Sequence, residues 1–262
     1  MFQQVKKDNH LGIINSNEKL IIPIEYSEFF FEKNSTLFYC KKKNSYDCYD
    51  PEGKLIKEIN FKFISFDYFN DENFFMVTND LDDNNFFYTN DNGINEIIGK
   101  IGMINNKLQL IVPNIYEVIW PIKKHIILYK GENIKFDHSV EPKEWKMYDD
   151  FYRLTGGKWG VSDYNHTQII PFEYDFIQPT SVDDIFLVNK GGVLVYYKGN
   201  QIRIGSYNIH KGGKWGLINS KNEILVGLIF DQYTYYDGGT NNRKITFEGK
   251  EDGTEFSKIF VL

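Results

Sequence analysis

Histidine, cysteine and clustered carboxylates carry most protein chemistry, and this sequence spaces them poorly for it. His10, His125, His138, His166 and His210 show neither HxH nor HxxxH spacing, and Cys40 and Cys48 form no CxxC. Closely spaced His and Cys ligands are the usual signature of a zinc site, so a metal here would have to be assembled from distant segments. Asp149-Asp150 and Asp183-Asp184 are paired acids of the kind used in general acid–base catalysis. Adjacent residues on a strand point to opposite faces, so neither pair forms a dyad by itself. There is no GxSxG, no Gly-rich phosphate loop before a helix, and no Cys/His signature in a local context.

Two other residue sets could bind ligands. The stretch 80–85 offers Asp and Asn oxygens of the type calcium takes, in the order Asp80-x-Asp82-x-Asn84. An EF-hand would follow with Gly and place Glu at the twelfth position, whereas this chain has Asn85 and Asp91. A solvated turn is the expectation. Exposed aromatics could hold a sugar or base by stacking. Trp159 and Trp215 sit in a repeated strand motif and are expected in the core. Trp120, Trp145, Tyr196-Tyr197 and Tyr235-Tyr236 lie outside that motif and are better placed to stack. These readings assign no catalytic, cofactor-binding or metal residues, and they leave the binding residues open.

The elements that must position any site are repetitive. Gly212-Gly213-Lys214-Trp215-Gly216-Leu217-Ile218-Asn219 has a strong copy at Gly156–Asp163 and weaker ones at Gly99–Asn105 and Asn9–Asn15. A Pro follows the motif Gly by 11 positions wherever it is present (12 to 23, 102 to 113, 160 to 171), and Tyr26, Tyr116 and Tyr174 complete a Pro-x-x-Tyr. In the last copy Gly227 and Phe230 replace the Pro and Tyr. A degenerate copy around Tyr49–Ile56 gives motif positions 12, 47, 102, 160 and 216, spaced 35, 55, 58 and 56 residues apart. A fixed internal spacing of this kind signals a repeat architecture. The longer later spacings read as a 35-residue repeat plus an additional hairpin of about 21 residues.

Lys-Trp-Gly-Leu-Ile-Asn followed by an apolar run and Pro-x-x-Tyr resembles the bacterial WG (KWG) repeat family. The match rests on Lys158-Trp159-Gly160 with Pro171 and Tyr174, and on Lys214-Trp215-Gly216. The resemblance implies an all-β repeat protein whose shared positions are structural, and it implies no catalytic residues.

The composition points the same way. Alanine is absent while Phe and Tyr together number 40 (22 and 18), which favours pleated, half-buried surfaces over helices. The expected fold is one all-β domain over 1–262, with repeat units near 5–31, 97–121, 151–179 and 207–236. Tandem antiparallel hairpins would form an open twisted array, with a closed propeller-like ring as the alternative. Val5–Lys7 should pair with Leu11–Ile14 across Asp8-Asn9. Gly156-Gly157 and Gly212-Gly213 are expected at two-residue hairpin turns, and Gly160 and Gly216 where a neighbouring repeat approaches closely.

A net charge of -6 and only three arginines (Arg153, Arg203, Arg243) argue against nucleic-acid binding. No apolar leader or spanning segment is visible, and two cysteines are too few for a disulfide framework, so a cytoplasmic protein with buried thiols is expected. The functional expectation is non-catalytic recognition of a protein partner, in one form an acidic inhibitor or immunity-type protein masking a basic surface. Carbohydrate or small-ligand binding through exposed aromatics is the alternative, and a hydrolase with dispersed acids comes third.

Overall fold

A computed structural model has an all-β fold. The structure describes residues 2–31, 36–69, 72–79, 87–89, 95–97, 100–131, 135–136, 150–153, 156–199, 202–237, 243–251 and 253–262. Among them are 26 strands in antiparallel sheets, with no helix and no sheet closed into a barrel. The tandem hairpins expected from the sequence are present.

The first sheet contains Phe2–Lys7, His10–Asn15 and Leu20–Tyr26. Asp8 (φ 48) and Asn9 (φ 65) make the tight turn between its first two strands, as their types require. A four-stranded order then recurs four times. It runs Glu28–Phe31, Phe38–Lys41, Tyr46–Tyr49, Leu55–Ile59; then Phe63–Phe69, Glu72–Thr78, Ile101–Asn105, Leu110–Tyr116. Next come Val118–Pro121, Ile126–Lys130, Lys158–Ser162, Gln168–Tyr174; and Phe176–Pro179, Ile185–Gly199, Ile202–Asn219, Ile224–Phe230. Gln232–Asp237, Arg243–Glu251 and Thr254–Val261 form the last sheet. Each four-stranded sheet takes its first strand from the tail of one sequence repeat and the others from the next. A repeat therefore cannot complete a four-stranded sheet alone, and stacking supplies the cooperativity.

Backbone contacts divide the chain into two compact units, Met1–Phe87 with Ile94–Asn114, and Tyr88–Gly93 with Ile115–Leu262. The first unit buries two apolar clusters, one around Tyr39, Tyr46, Phe75 and Ile104, the other around Ile13, Ile22, Tyr26 and Tyr49. The second is threaded by an aromatic chain, Tyr129–Trp159–Phe176–Trp215–Tyr233, with successive ring centroids 5.4, 5.3, 6.2 and 4.7 Å apart. Tilted and edge-on pairs of this spacing add about 0.5–1.5 kcal/mol each beyond their burial.

The uneven repeat spacing has one topological source. The second and third strands of the first four-stranded sheet are joined by the tight turn 42–45. The same connection is extended in the next three sheets, over 79–100, 131–157 and 191–213. Two of these extensions join: Lys135–Phe136 pairs with Asp150–Arg153, which pairs with 195–198, which pairs with 206–208. They form an appended sheet in the second unit. The additional hairpin expected from the spacing is this elaboration.

The Gly-Gly expectation is corrected. Gly212 and Gly213 (φ 73 each) lie inside the strand Ile202–Asn219, with Gly192 opposite Gly212, so they bend a long ribbon. Gly156 (φ 73) lies where the chain passes from the appended sheet to the strand Lys158–Ser162. Neither pair forms a two-residue hairpin turn.

Candidate functional site

The motif side chains are consumed by the scaffold. Lys158 Nζ meets Asp175 Oδ1 at 2.5 Å, and Lys214 Nζ meets Asp231 Oδ1 at 2.6 Å. The second oxygen of each acid accepts a backbone N–H of the following sheet, from Gly191 at 2.5 Å and Lys250 at 2.9 Å. Glu117 accepts the Gly131 N–H at 2.8 Å in the same manner. Sequence reasoning missed these acids, although the signal was present: Glu117, Asp175 and Asp231 each directly follow the motif Tyr or Phe. Lys214 and the Lys250 N–H together hold the Asp231 carboxyl below its usual range.

The motif Gly answers to a bulge in its own hairpin. Trp159 pairs with Tyr174 and Val161 with Ile170, so Gly160 alone faces three residues. Leu11/Ile13 against Tyr26/Ile22 and Trp215/Leu217 against Phe230/Val226 repeat this. A Cβ on Gly12, Gly102, Gly160 or Gly216 would lie 2.9, 2.8, 2.9 or 2.5 Å from the carbonyl oxygen of Ile22, Val112, Ile170 or Val226. The close approach expected from a neighbouring repeat is thus made by the partner strand, which is a correction. Asp47 occupies the Gly position of the degenerate copy, where Asp47–Glu58 and Cys48–Lys57 stay in continuous register. Without that wide bulge, no Gly is required.

Repeats are joined through turns. Asn15, Asp50, Asn105, Asp163 and Asn219 each accept, through Oδ1, the N–H groups two and four residues on. The third residue after each has positive φ: Glu18, Gly53, Leu108, His166 and Asn222. In three of the five turns that residue receives the preceding repeat. Lys57 Nζ donates to the Leu108 carbonyl, Tyr116 Oη lies 2.9 Å from His166 Nε2, and Tyr174 Oη donates to Asn222 Oδ1 at 2.9 Å.

Two polar clusters could support chemistry. In the first unit, Asp47 Oδ2 receives Tyr26 Oη at 2.7 Å and Lys42 Nζ at 2.7 Å, and Tyr26 and Tyr49 hydroxyls meet at 2.6 Å. Asp47 is 3 % exposed, so substrate has no access to it. Burial, with the Tyr49 and Asp47 contacts, drives the Tyr26 phenol far above its ordinary value, so it keeps its proton. The Asp47 hydrogen bond raises the Lys42 ammonium. Neither is poised as a base near neutrality. Cys40 and Cys48 are free and buried as expected, and burial pushes the Cys48 thiol up to about 12.

In the second unit, His125 Nε2 lies 2.6 Å from Asp184 Oδ1, while Lys124 Nζ meets Asp184 Oδ2 at 3.0 Å and Lys123 meets Asp183 at 3.1 Å. His125 and Lys124 hold the Asp184 carboxyl below its usual range. An Asp–His couple can orient a general base. The other ring nitrogen, Nδ1, is buried without a hydrogen-bond partner, so no hydroxyl or thiol is activated by it. The cluster ties one turn to another. Asp183 and Asp184 lie in a turn, with Asp184 at φ 65, and not on the strand expected for them.

Trp159 and Trp215 are core residues, 0 and 5 % exposed, as their motif position implied. Trp120 is half-buried, and Tyr235 and Tyr236 are exposed. An open groove of about 600 Å³ is lined by Asp231, Glu248, Lys250, Glu255 and Phe256 among others. Its carboxylates are engaged by Lys214, Gln232 and Lys250. Trp145, His138, Asp149, the 80–85 stretch and Asp91 lie outside the described residues. Among the described residues no three His, Cys, Asp or Glu are grouped to hold a metal.

The remaining feature is the appended sheet, which no motif residue builds. Its two extensions contain Trp145, Tyr148, Tyr152, Tyr196, Tyr197 and Tyr207, and two of the three arginines, Arg153 and Arg203. Trp, Tyr and Arg are the types that dominate protein–protein hot spots.

A family profile described as a WG containing repeat matches residues 12–44, 159–193 and 215–240. No curated protein sequence matches the chain. Among solved structures, one described as a eukaryotic initiation factor aligns at 11 % identity and TM-score 0.28, covering 99 % of this chain and 81 % of that one. The AfRom2 CNH domain aligns at 9 % identity and TM-score 0.25, covering 99 and 93 %. At these values neither likeness bears on fold or function.

Proposed function

We propose that this chain, which carries WG-containing repeats, is a non-catalytic module that recognises a protein partner through its appended sheet. The observation that carries the reading is the division of labour between residues. Lys158, Lys214, Tyr116 and Tyr174 of the repeated motif are bound to other parts of the scaffold. The sequences of the extensions at 131–157 and 191–213 hold Trp145, Tyr148, Tyr152, Arg153, Tyr196, Tyr197, Arg203 and Tyr207, none of them part of the motif. Tandem repeats with elaborated connections suit binding, because loops vary without disturbing the joints.

The test is affinity capture from the native cell followed by reconstitution with the purified partner, beside a glycan array and a broad hydrolase screen. A stoichiometric complex weakened by Arg203→Ala or Tyr197→Ala, with folding intact, is expected. Sugar binding or turnover abolished by a site variant, with no reconstituted protein complex, would replace this reading with one of its rivals.

A further inference from the structure

We propose that molecules of this chain join head to tail, the strand Phe2–Lys7 of one pairing antiparallel with the open edge of Thr254–Val261 of the next. The inference goes beyond partner recognition and does not involve the appended sheet. Among the described residues no strand pairs with the outer edge of either strand. Each belongs to a three-stranded sheet, whereas the order that recurs between them has four.

The place left open in the last sheet is that of the fourth strand. The Asp231 N–H donates to the Glu248 carbonyl, as Asp175 does to Asn189 and Glu117 to Tyr129, so Glu248 is their equivalent. Its neighbour across the sheet, Ser257, therefore stands where Trp215 and Trp159 stand, and Lys258 where Gly216 and Gly160 stand. A fourth strand passes the motif Gly in a wide bulge, but where Asp47 replaces the Gly the two strands stay in register. With Lys258 at that position, the strand that fits is a plain one. Phe2–Lys7 is such a strand, paired to its own neighbour without a bulge.

The open backbone groups alternate in step. The Leu262 N–H donates to the Arg243 carbonyl at 2.9 Å, so Phe260, Lys258 and Phe256 bond inward. Ile259, Ser257 and Glu255 then turn their N–H and C=O groups to the edge. The two-residue turn at Asp8-Asn9 makes Lys7 and His10 a hydrogen-bonded pair, so Phe2, Gln4 and Lys6 turn theirs outward. Setting Glu255 opposite Lys6 places Ser257 opposite Gln4 and Ile259 opposite Phe2. Ile259 and Phe2 are 57 and 45 % exposed. On the other face Phe256 meets Val5, and Lys258 meets Gln3.

No neighbouring register does as well. A shift of two residues sets Phe2 opposite Ser257, or Lys6 opposite Ser257 and Ile259 opposite Gln4. Pairing either strand with its own copy cannot match charges, because Lys6 is the charged residue of one outward set and Glu255 that of the other. Lysines often guard an edge strand; at this joint Lys6 finds an acid and Lys258 an amide. Glu255 meets Lys250 through Oε1 at 2.9 Å, which leaves Oε2 for Lys6.

The faces agree too. Trp215 and Phe230 cover the last sheet on its Tyr233 and Phe247 side, the side away from Ser257. Lys6 lies opposite Leu11, which holds the Trp position of the first motif, and on that same face Phe2 meets Phe38 of the following sheet at 5.0 Å. In the joined sheet the two covering sheets therefore lie on opposite sides and do not collide.

The experiment is sedimentation velocity of the full chain over a concentration series, in which wild type is expected to associate. Gln4→Pro and Ser257→Pro each remove one outward N–H while sparing the bonds inside the sheet. Each variant alone should stay monomeric, and their equimolar mixture should form a dimer and nothing larger, since one joint remains. Glu255→Lys should weaken association several-fold, and adding Lys6→Glu to the same chain should restore it. A wild type that stays monomeric throughout, or a dimer that persists in either proline variant alone, would overturn the joint. With both proline variants folded by circular dichroism, a monomeric mixture overturns it as well. Should either variant unfold, the charge reversal decides, and association that Lys6→Glu fails to restore rejects the pairing. None of these outcomes bears on recognition of a partner protein.

Discussion

Tyr174 donates its phenolic hydrogen to Oδ1 of Asn222, 2.9 Å away and 48 residues later in the chain. Tyr174 closes the Pro-x-x-Tyr of one repeat, and Asn222 is the positive-φ residue in the next repeat's turn. Tyr116 and His166 stand in the same relation. In the last copy Phe230 has no hydroxyl and packs between Phe247 and Phe256 at 5.3 and 5.2 Å. The motif Tyr is therefore a joint between repeats, and the Phe appears in the copy that makes no such joint.

Tyr174→Phe is expected to cost about 1 kcal/mol, because it leaves the Asn222 oxygen without its donor. Phe230→Tyr should gain nothing. Equilibrium denaturation of the two variants checks this, and equal midpoints for Tyr174→Phe and wild type would show that the hydroxyl carries no weight in the joint.

Gly216 and Gly227 lie opposite each other in character. A Cβ at Gly216 would meet the Val226 carbonyl oxygen at 2.5 Å, whereas one at Gly227 would meet nothing within 4 Å. Gly216→Ala should overpack the bulge and cost on the order of 1–3 kcal/mol. Gly227→Ala should be neutral or slightly stabilising, since it removes backbone freedom from the unfolded chain at no steric cost. Thermal melts of the pair settle the sign for each.

His166 gives one joint a pH dependence. Its imidazole packs edge-on to Tyr116 at 5.7 Å, with Phe172 stacked on the other ring, and burial holds it below its ordinary value while Asp163 opposes. The folded protein then binds fewer protons than the unfolded chain between the two values. Stability from this group is complete above about pH 6.5 and declines as pH falls through it, levelling off below the folded value. His166→Asn, which copies the Asn222 joint, should keep the contact and flatten stability over pH 5–7 relative to wild type. Parallel urea titrations across that range test it.

How far the sequence foretold these relations depends on the range of the interaction. The Asp8-Asn9 turn and the burial of Trp159 were legible because local residue types and strand period fix them. The close approach at the motif Gly was legible but its partner was not, because a bulge of three residues opposite one leaves no local mark beyond its Pro. The Lys158–Asp175 pair was legible in principle, from the acid that follows the motif Tyr or Phe in the last three copies (Glu117, Asp175, Asp231). His125–Asp184 was not: it joins turns 59 residues apart, and nothing at either position announces the other. The appended sheet was visible only as surplus length.

Asn189 is where the scaffold departs most from its own pattern. It is 0 % exposed and lies in register between Phe176 and Trp215. The equivalent residue in the preceding sheet is Tyr129, in register between Val118 and Trp159, whose ring covers Gly157. At Asn189 both side-chain polar atoms are buried and find no hydrogen-bond partner in the protein. An unpaired buried amide costs about 1–3 kcal/mol, and an apolar side chain of similar volume removes that cost. Asn189→Leu is therefore expected to raise stability by about 1–2 kcal/mol in equilibrium denaturation, without altering the far-ultraviolet spectrum. A lowered midpoint would mean that the amide is satisfied by buried water in solution, and that this row of the sheet is wet where its neighbour is dry.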